Sequence, residues 1–219
     1  MDRGVFLLGY IILCAAAIIG LLRFRYLDKP LRVVWGLLVI SSVSEMVSYI
    51  ALETGNVFIK GVVYHIYSII EIVLITWFFL LRIKPHHYRL LLLINFVGWP
   101  IVGVLNMLFL QPVDGLNTNM LMLESFVIIT MCLYFIYWLL KNDVVHNIFG
   151  YSHFWVSIIW LLLWSGTFFF WAFIRVLYSD EWPYLQTAVL LQGILLVITY
   201  CGFGLVFFLY PNNRETIEY

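Results

Sequence analysis

Seven long stretches of the chain carry scarcely a charge, and six short polar segments separate them. The apolar stretches cover about 4–22, 31–52, 61–81, 88–110, 118–140, 151–178 and 184–210. The breaks read "RFRYLDKP", "ETGNVFIK", "RIKPHH", "QPVDGLN", "KNDVVHNIFG" and "SDEWP". Each break holds Pro, Gly, Asn, Asp or several charges, the residues that end helices or favour turns. A run of roughly 20 apolar residues is the length a helix needs to cross a bilayer. Barrel strands would instead show alternating segments of about ten residues. The pattern therefore predicts an all-α polytopic membrane protein, a seven-transmembrane-helix bundle forming a single domain over 1–219. No internal repeat and no low-complexity linker is visible.

Composition agrees with this pattern. Of 219 residues, 64% are hydrophobic and 11% charged, and mean hydropathy is +1.00. Soluble domains carry about 25% charged residues. Net charge is zero without a basic tract, which argues against a nucleic-acid partner. Cys14, Cys132 and Cys201 all fall inside apolar runs, so no disulfide framework is expected. Residues 4–22 outrun the usual core of a signal peptide. "CAAA" at 14–17 imitates a cleavage site, but Leu13 stands where a lipoprotein signal wants a small residue. The expectation is a retained first span.

The Lys and Arg residues set the orientation. Arg23, Arg25, Lys29, Arg32, Arg82, Lys84, Arg89, Lys141 and Arg214 fall on one side, and Arg3, Lys60 and Arg175 on the other. The positive-inside rule places the larger set in the cytoplasm, with the N-terminus outside and the C-terminus inside. Trp99, Trp182, Tyr178, Tyr184 and Tyr210 are expected in an interfacial aromatic belt. The basic segment 23–32 suits anionic lipid headgroups, or a signalling partner docked beside the membrane.

Ionisable residues inside the spans are the candidates for function, because each costs about 2.5–3.5 kcal/mol on insertion scales. At about 1.5 Å of rise per residue, Glu45 lies about 10 Å below the outer end of its span. His65 lies about 6 Å down, Glu71 about 15 Å and Glu124 about 9 Å. Asn106, Arg175, Gln186 and Gln192 share that outer half, while the inner half carries no charge until His153 at the interface. Ser41, Ser44, Glu45 and Ser48 form one helical stripe, and Tyr64, Ser68 and Glu71 another with His65 at its edge. Trp164, Phe168, Trp171 and Arg175 form an aromatic wall capped by a cation. The expected ligand-binding set is Glu45, Ser48, His65, Ser68, Glu71, Asn106, Glu124, Trp171, Arg175 and Gln192.

Several chemistries can be weighed against these residues. Covalent retinal needs a lysine in the last span, and 184–210 has none. The several-histidine zinc pattern of seven-helix hydrolases is absent, since only His65 lies deep on the outer side. If a metal is present, its ligands are Glu45, His65, Glu71 and Glu124; the cofactor is otherwise unknown from sequence. Ser48 or Ser68 beside His65 is a weak nucleophile pattern, matched by plain hydroxyl-to-backbone bonding. The serines also suit close helix packing, and protonated glutamates tie helices together without any ligand.

The expectation is a receptor-like or sensor-like protein with an outward polar pocket, signalling through a separate partner. The alternatives are an intramembrane enzyme acting on a lipid or isoprenoid, and a small-solute or proton-coupled transporter. In "RFRYLDKPLR", Glu45, "NVFIKGVVYHIYSIIE" and "FWVSIIWLLLWSG" the chain resembles small seven-helix bacterial membrane proteins with no assigned activity. That resemblance implies a bacterial inner-membrane location and brings no function.

Overall fold

The computed structural model describes residues 3–83, 86–111, 117–142, 147–180 and 182–210. Seven α-helices run along them: α1 (Arg3–Leu22), α2 (Lys29–Glu53), α3 (Val57–Leu80), α4 (His86–Leu105), α5 (Thr118–Lys141), α6 (Ser152–Asp180) and α7 (Trp182–Leu209). Among the described residues there is no strand. Six of the helices, α2 to α7, contain segments long and apolar enough to cross a membrane. Many of their large side chains point outward, including Leu91, Ile94, Phe126, Phe169 and Leu191. That is the dress of a helix facing lipid tails, and the chain is an integral membrane protein. The apolar part of α1 with described side chains, Leu7–Leu22, is shorter.

The chain divides into two compact units. The first is Met1–Asp28 with Ser125–Tyr219, and the second is Lys29–Glu124. In the first unit α7 packs against both α1 and α6. Small residues bring these helices close. Gly204 faces Ala16 and Ile19 of α1, and Gly166 and Gly202 of the α6–α7 pair lie under Leu195 and Ile159. Trp160 of α6 meets Phe203 of α7 edge to face, with ring centres 6.0 Å apart. At the start of α6, His153 Nε2 stands 3.0 Å from Asp28 Oδ2, with the Tyr151 ring 4.8 Å from the imidazole.

The second unit stacks α2 on α3 and α3 on α4. The α2–α3 turn is compact for local reasons. Gly55 takes φ +70°, a left-handed conformation that suits glycine. The Asn56 N–H then reaches back to Ala51 O at 2.8 Å, closing α2 in a Schellman-type end. Asn56 also starts α3, its side chain accepting from Ile59 N at 3.1 Å. The helix therefore begins at Val57, and Lys60, read from sequence as part of the break, lies in its first turn.

The α4 helix carries Pro100 in its interior and ends in a π-helical turn, Asn106–Leu110. Towards the far end of α3, Asn95 of α4 donates to Thr76 at 2.8 Å.

Two of the aromatic residues expected in an interfacial belt are buried within the protein. Trp99 is 5% exposed, within α4 beside Pro100. Tyr210 is also buried, with its ring 6.4 Å from that of His153. The side chains of Arg175, Tyr178, Trp182 and Tyr184, and of His86 and His87, lie outside the described residues, as do Lys84, the segment 112–116, His146 and Arg214.

Candidate functional site

Three glutamates inside the second unit come together across three helices. Glu124 of α5 is fully buried, and its Oε2 accepts from the Ser68 hydroxyl of α3 at 2.6 Å. Its other oxygen, Oε1, is buried and makes no hydrogen bond. Glu71 of α3 lies close enough to Glu124 for the two carboxyls to interact electrostatically, and close enough to Glu45 of α2 to do the same. Lys60 acts on Glu45 at the end of the cluster nearest the α2–α3 turn, its Nζ 5.8 Å from the centre of the Tyr64 ring.

Two flanks of α3 hold this arrangement. On the flank facing α2, the Tyr67 hydroxyl shares a 2.6 Å hydrogen bond with Ser41 and lies within reach of Glu71. Ser41 also donates to Leu37 O, one turn back in its own helix, at 2.9 Å. Tyr64 sits beside Glu45 and Ser48, although the Ser48 hydroxyl falls short of a well-formed hydrogen bond. On the second flank His65 and Ser68, one turn apart, are both buried. Ser68 meets Glu124, and the Nε2 of His65 has no hydrogen-bond partner. The stripe of Tyr64, Ser68 and Glu71 expected from spacing runs along the continuous helix α3 and meets two neighbouring helices. Tyr64 and Tyr67 lie against α2, Ser68 bonds Glu124 of α5, and Glu71 between them interacts with the carboxyls of both neighbours. At 100° per residue, Tyr67 and Ser68 cannot share a face.

No protein-family model, curated protein or solved structure matches this chain. The site is thus read from its own chemistry.

Asn106 is buried but belongs to a different group. Its Nδ2 donates to Gln111 Oε1 at 3.3 Å and to Asn117 Oδ1 at 3.1 Å, and Gln111 Nε2 donates to Thr118 at 3.2 Å. These buried amides tie the π-turn of α4 to the start of α5. The remaining expected residues belong to the first unit. Gln192 of α7 donates to Thr167 of α6 at 3.0 Å, Trp171 is half-buried in α6, and Arg175 carries no described side chain. Among the described residues no three His, Cys, Asp or Glu side chains are grouped closely enough to hold a metal ion. The conditional metal set of Glu45, His65, Glu71 and Glu124 does not assemble as a coordination shell.

Spacing found the carboxyls but passed over Tyr67. Its signal was present: Tyr67 stands four residues before Glu71, the separation that places two side chains together on one helix face.

Proposed function

We propose that the protein is a receptor-like or sensor-like membrane protein, which takes a small cationic ligand at the cluster of Glu45, Glu71 and Glu124. The observation that carries this reading is Glu124: fully buried, bonded through one oxygen only, with Glu71 as its electrostatic neighbour. Carboxyls gathered in a low-dielectric slab need protons or a positive charge among them. A polar file leads towards them from Lys60 and Tyr64 at the α2–α3 turn, through Glu45 and Tyr67. With the Lys and Arg balance of nine against three, that turn faces outward, the N-terminus lies outside and all seven helices cross the membrane. The ligand then enters from outside. A separate membrane or cytoplasmic partner carries the signal onward, and a bacterial inner membrane suits the chain.

The metal-dependent enzyme is less well supported, because the four candidate ligands do not group. The experiment is a melting-temperature screen of purified protein against alkali cations and small ammonium compounds, run on the native chain and on Glu71→Gln and Glu124→Gln. The reading expects at least one cation to raise the melting temperature of the native protein, with a ten-fold or greater loss of apparent affinity in both variants. A screen in which no cation stabilises the native protein, while both variants melt as it does, would sink the reading in favour of glutamates that serve only as helix ties.

A further inference from the structure

We infer that the ammonium group of Lys60 is a tethered occupant at the mouth of this site, which a cationic ligand must displace to reach Glu45; this rests on the cationic-ligand reading above. Three observations converge on it. The first is position. Lys60 lies in the first turn of α3, four residues before Tyr64, so the two side chains share one face of the helix. Its Nζ stands 5.8 Å from the centre of the Tyr64 ring, within the range of a cation–π contact. Across the α2–α3 pair the same ammonium acts on the carboxyl of Glu45. A lysine near the end of a span ordinarily extends its amine towards water. Here it is half-buried between a ring and a carboxyl.

The second is charge. The carboxyls interact in series: Glu45 acts on Glu71, and Glu71 on Glu124. Of the three cationic residues assigned to the outer side, Arg3, Lys60 and Arg175, Lys60 is the one within Lys29–Glu124. Its positive charge stands at the Glu45 end of a negative file. A second cation brought to Glu45 meets that charge at close range, and like charges side by side repel. Either the ligand stays out or the lysine moves.

The third is an unused hydroxyl. Ser48 lies one turn from Glu45 on α2 and beside the hydroxyl of Tyr64. It is 3% exposed, yet its Oγ makes no hydrogen bond. Buried polar atoms are nearly always paired, so this one calls for a partner. Lys60 answers the charge of Glu45 and leaves the Ser48 hydroxyl unanswered. Glu45, Ser48 and Tyr64 offer a free cation oxygen atoms, the donors that hard cations take. Such a cation takes over the Glu45 carboxyl, and Lys60 turns out to the water at the α2–α3 turn. Lys60 thereby sets a threshold, which a weakly attracted cation does not pass.

The test titrates sodium, potassium and tetramethylammonium against the purified full-length protein in detergent, with melting temperature as the readout. It compares the native chain, Lys60→Met, and Lys60→Met combined with Thr54→Lys, which returns a positive charge to the same turn away from Glu45. The inference expects the cation that binds to do so about ten-fold more tightly in Lys60→Met, since a like charge has gone from the site. The tighter binding should persist in the double variant. A second measurement needs no variant: acetylation of the native protein by a water-soluble acetyl ester, followed by mass spectrometry. Bound cation should speed acetylation of Lys60 and leave that of Lys29 unchanged. If Lys60→Met binds no more tightly than the native chain, the inference falls and the cationic reading stands. If Thr54→Lys restores the native affinity, the effect is charge at a distance, and the inference falls. A Lys60 acetylation rate that bound cation does not change also overturns it. If no probe binds either the native protein or Lys60→Met, both readings fall.

Discussion

Ser68 decides how the buried carboxyl of Glu124 is tolerated. Its hydroxyl supplies the 2.6 Å bond to Oε2, and Oε1 has none. Removing that donor leaves a fully buried carboxyl without a partner, a penalty of about 1–3 kcal/mol. Ser68→Ala is therefore expected to lower stability by about that amount in detergent-unfolding measurements. Glu124→Gln behaves differently, because the amide oxygen still accepts from Ser68 and a formal charge is lost. Its stability should stay within about 1 kcal/mol of the native protein, the net value of a typical hydrogen bond. The positions of Glu45, His65, Ser68, Glu71 and Glu124 were visible in the sequence as polar interruptions at matched depth. Their partners were not. A depth estimate has no azimuth, so it could not tell that Ser68 faces α5 while Tyr67, the next residue back, faces α2.

The α2–α3 connection shows what sequence reading misses at the scale of an element. Hydropathy placed the start of the third span at 61, because "ETGNVFIK" is polar enough to look like a loop. The structure starts α3 at Val57. Gly55 and Asn56 explain the difference: one permits the left-handed end of α2 and the other caps α3. Gly55→Ala is expected to cost about 1 kcal/mol, from the left-handed backbone that an alanine resists. Asn56→Ala is expected to cost about 1 kcal/mol from the lost cap. Both losses should appear in unfolding curves, and hydrogen exchange at Ile59 should speed up only in the Asn56 variant. The end of α4 was harder to foresee. Its π-turn coincides with Asn106, whose side chain bonds Gln111 and Asn117. No apolar period announces such a turn, since its stability comes from amides brought together by the return of the chain into α5. Packing glycines were equally hidden. A side chain at Gly103 would press on Ile69 at 2.5 Å and on Met120 at 3.3 Å. The first of these contacts meets Cγ1, close to the backbone, and a movable side-chain end would yield more easily. Gly103→Leu should destabilise the protein by about 1–3 kcal/mol, the usual range for overpacking.

At the scale of the whole molecule, the number of bilayer crossings and their sense follow from helix length and from the Lys and Arg balance. Six helices meet the length and hydropathy of a span. The seventh, α1, has 20 residues, and at about 1.5 Å per residue it reaches about 30 Å, the thickness of the hydrocarbon core. It packs along α7, with Ala16 and Ile19 against Gly204, and α7 is itself long and apolar enough to cross. On the proposed reading of seven crossings with the N-terminus outside, Gly4 and Thr54 are expected on the outer face, and Tyr26 and Asn147 on the cytoplasmic face. Cysteine labelling tests this in a background carrying Cys14→Ala, Cys132→Ala and Cys201→Ala. A membrane-impermeant maleimide added to intact cells should label Gly4→Cys and Thr54→Cys, and should reach Tyr26→Cys and Asn147→Cys only after permeabilisation. If Gly4→Cys and Tyr26→Cys label from the same side, α1 does not cross and the bundle has six spans. If all four positions label with the sides exchanged, the charge argument has the sense reversed, and the polar file from Lys60 to Glu71 opens to the cytoplasm. That second outcome would leave the carboxyl cluster unchanged and move the source of its ligand to the inside of the cell.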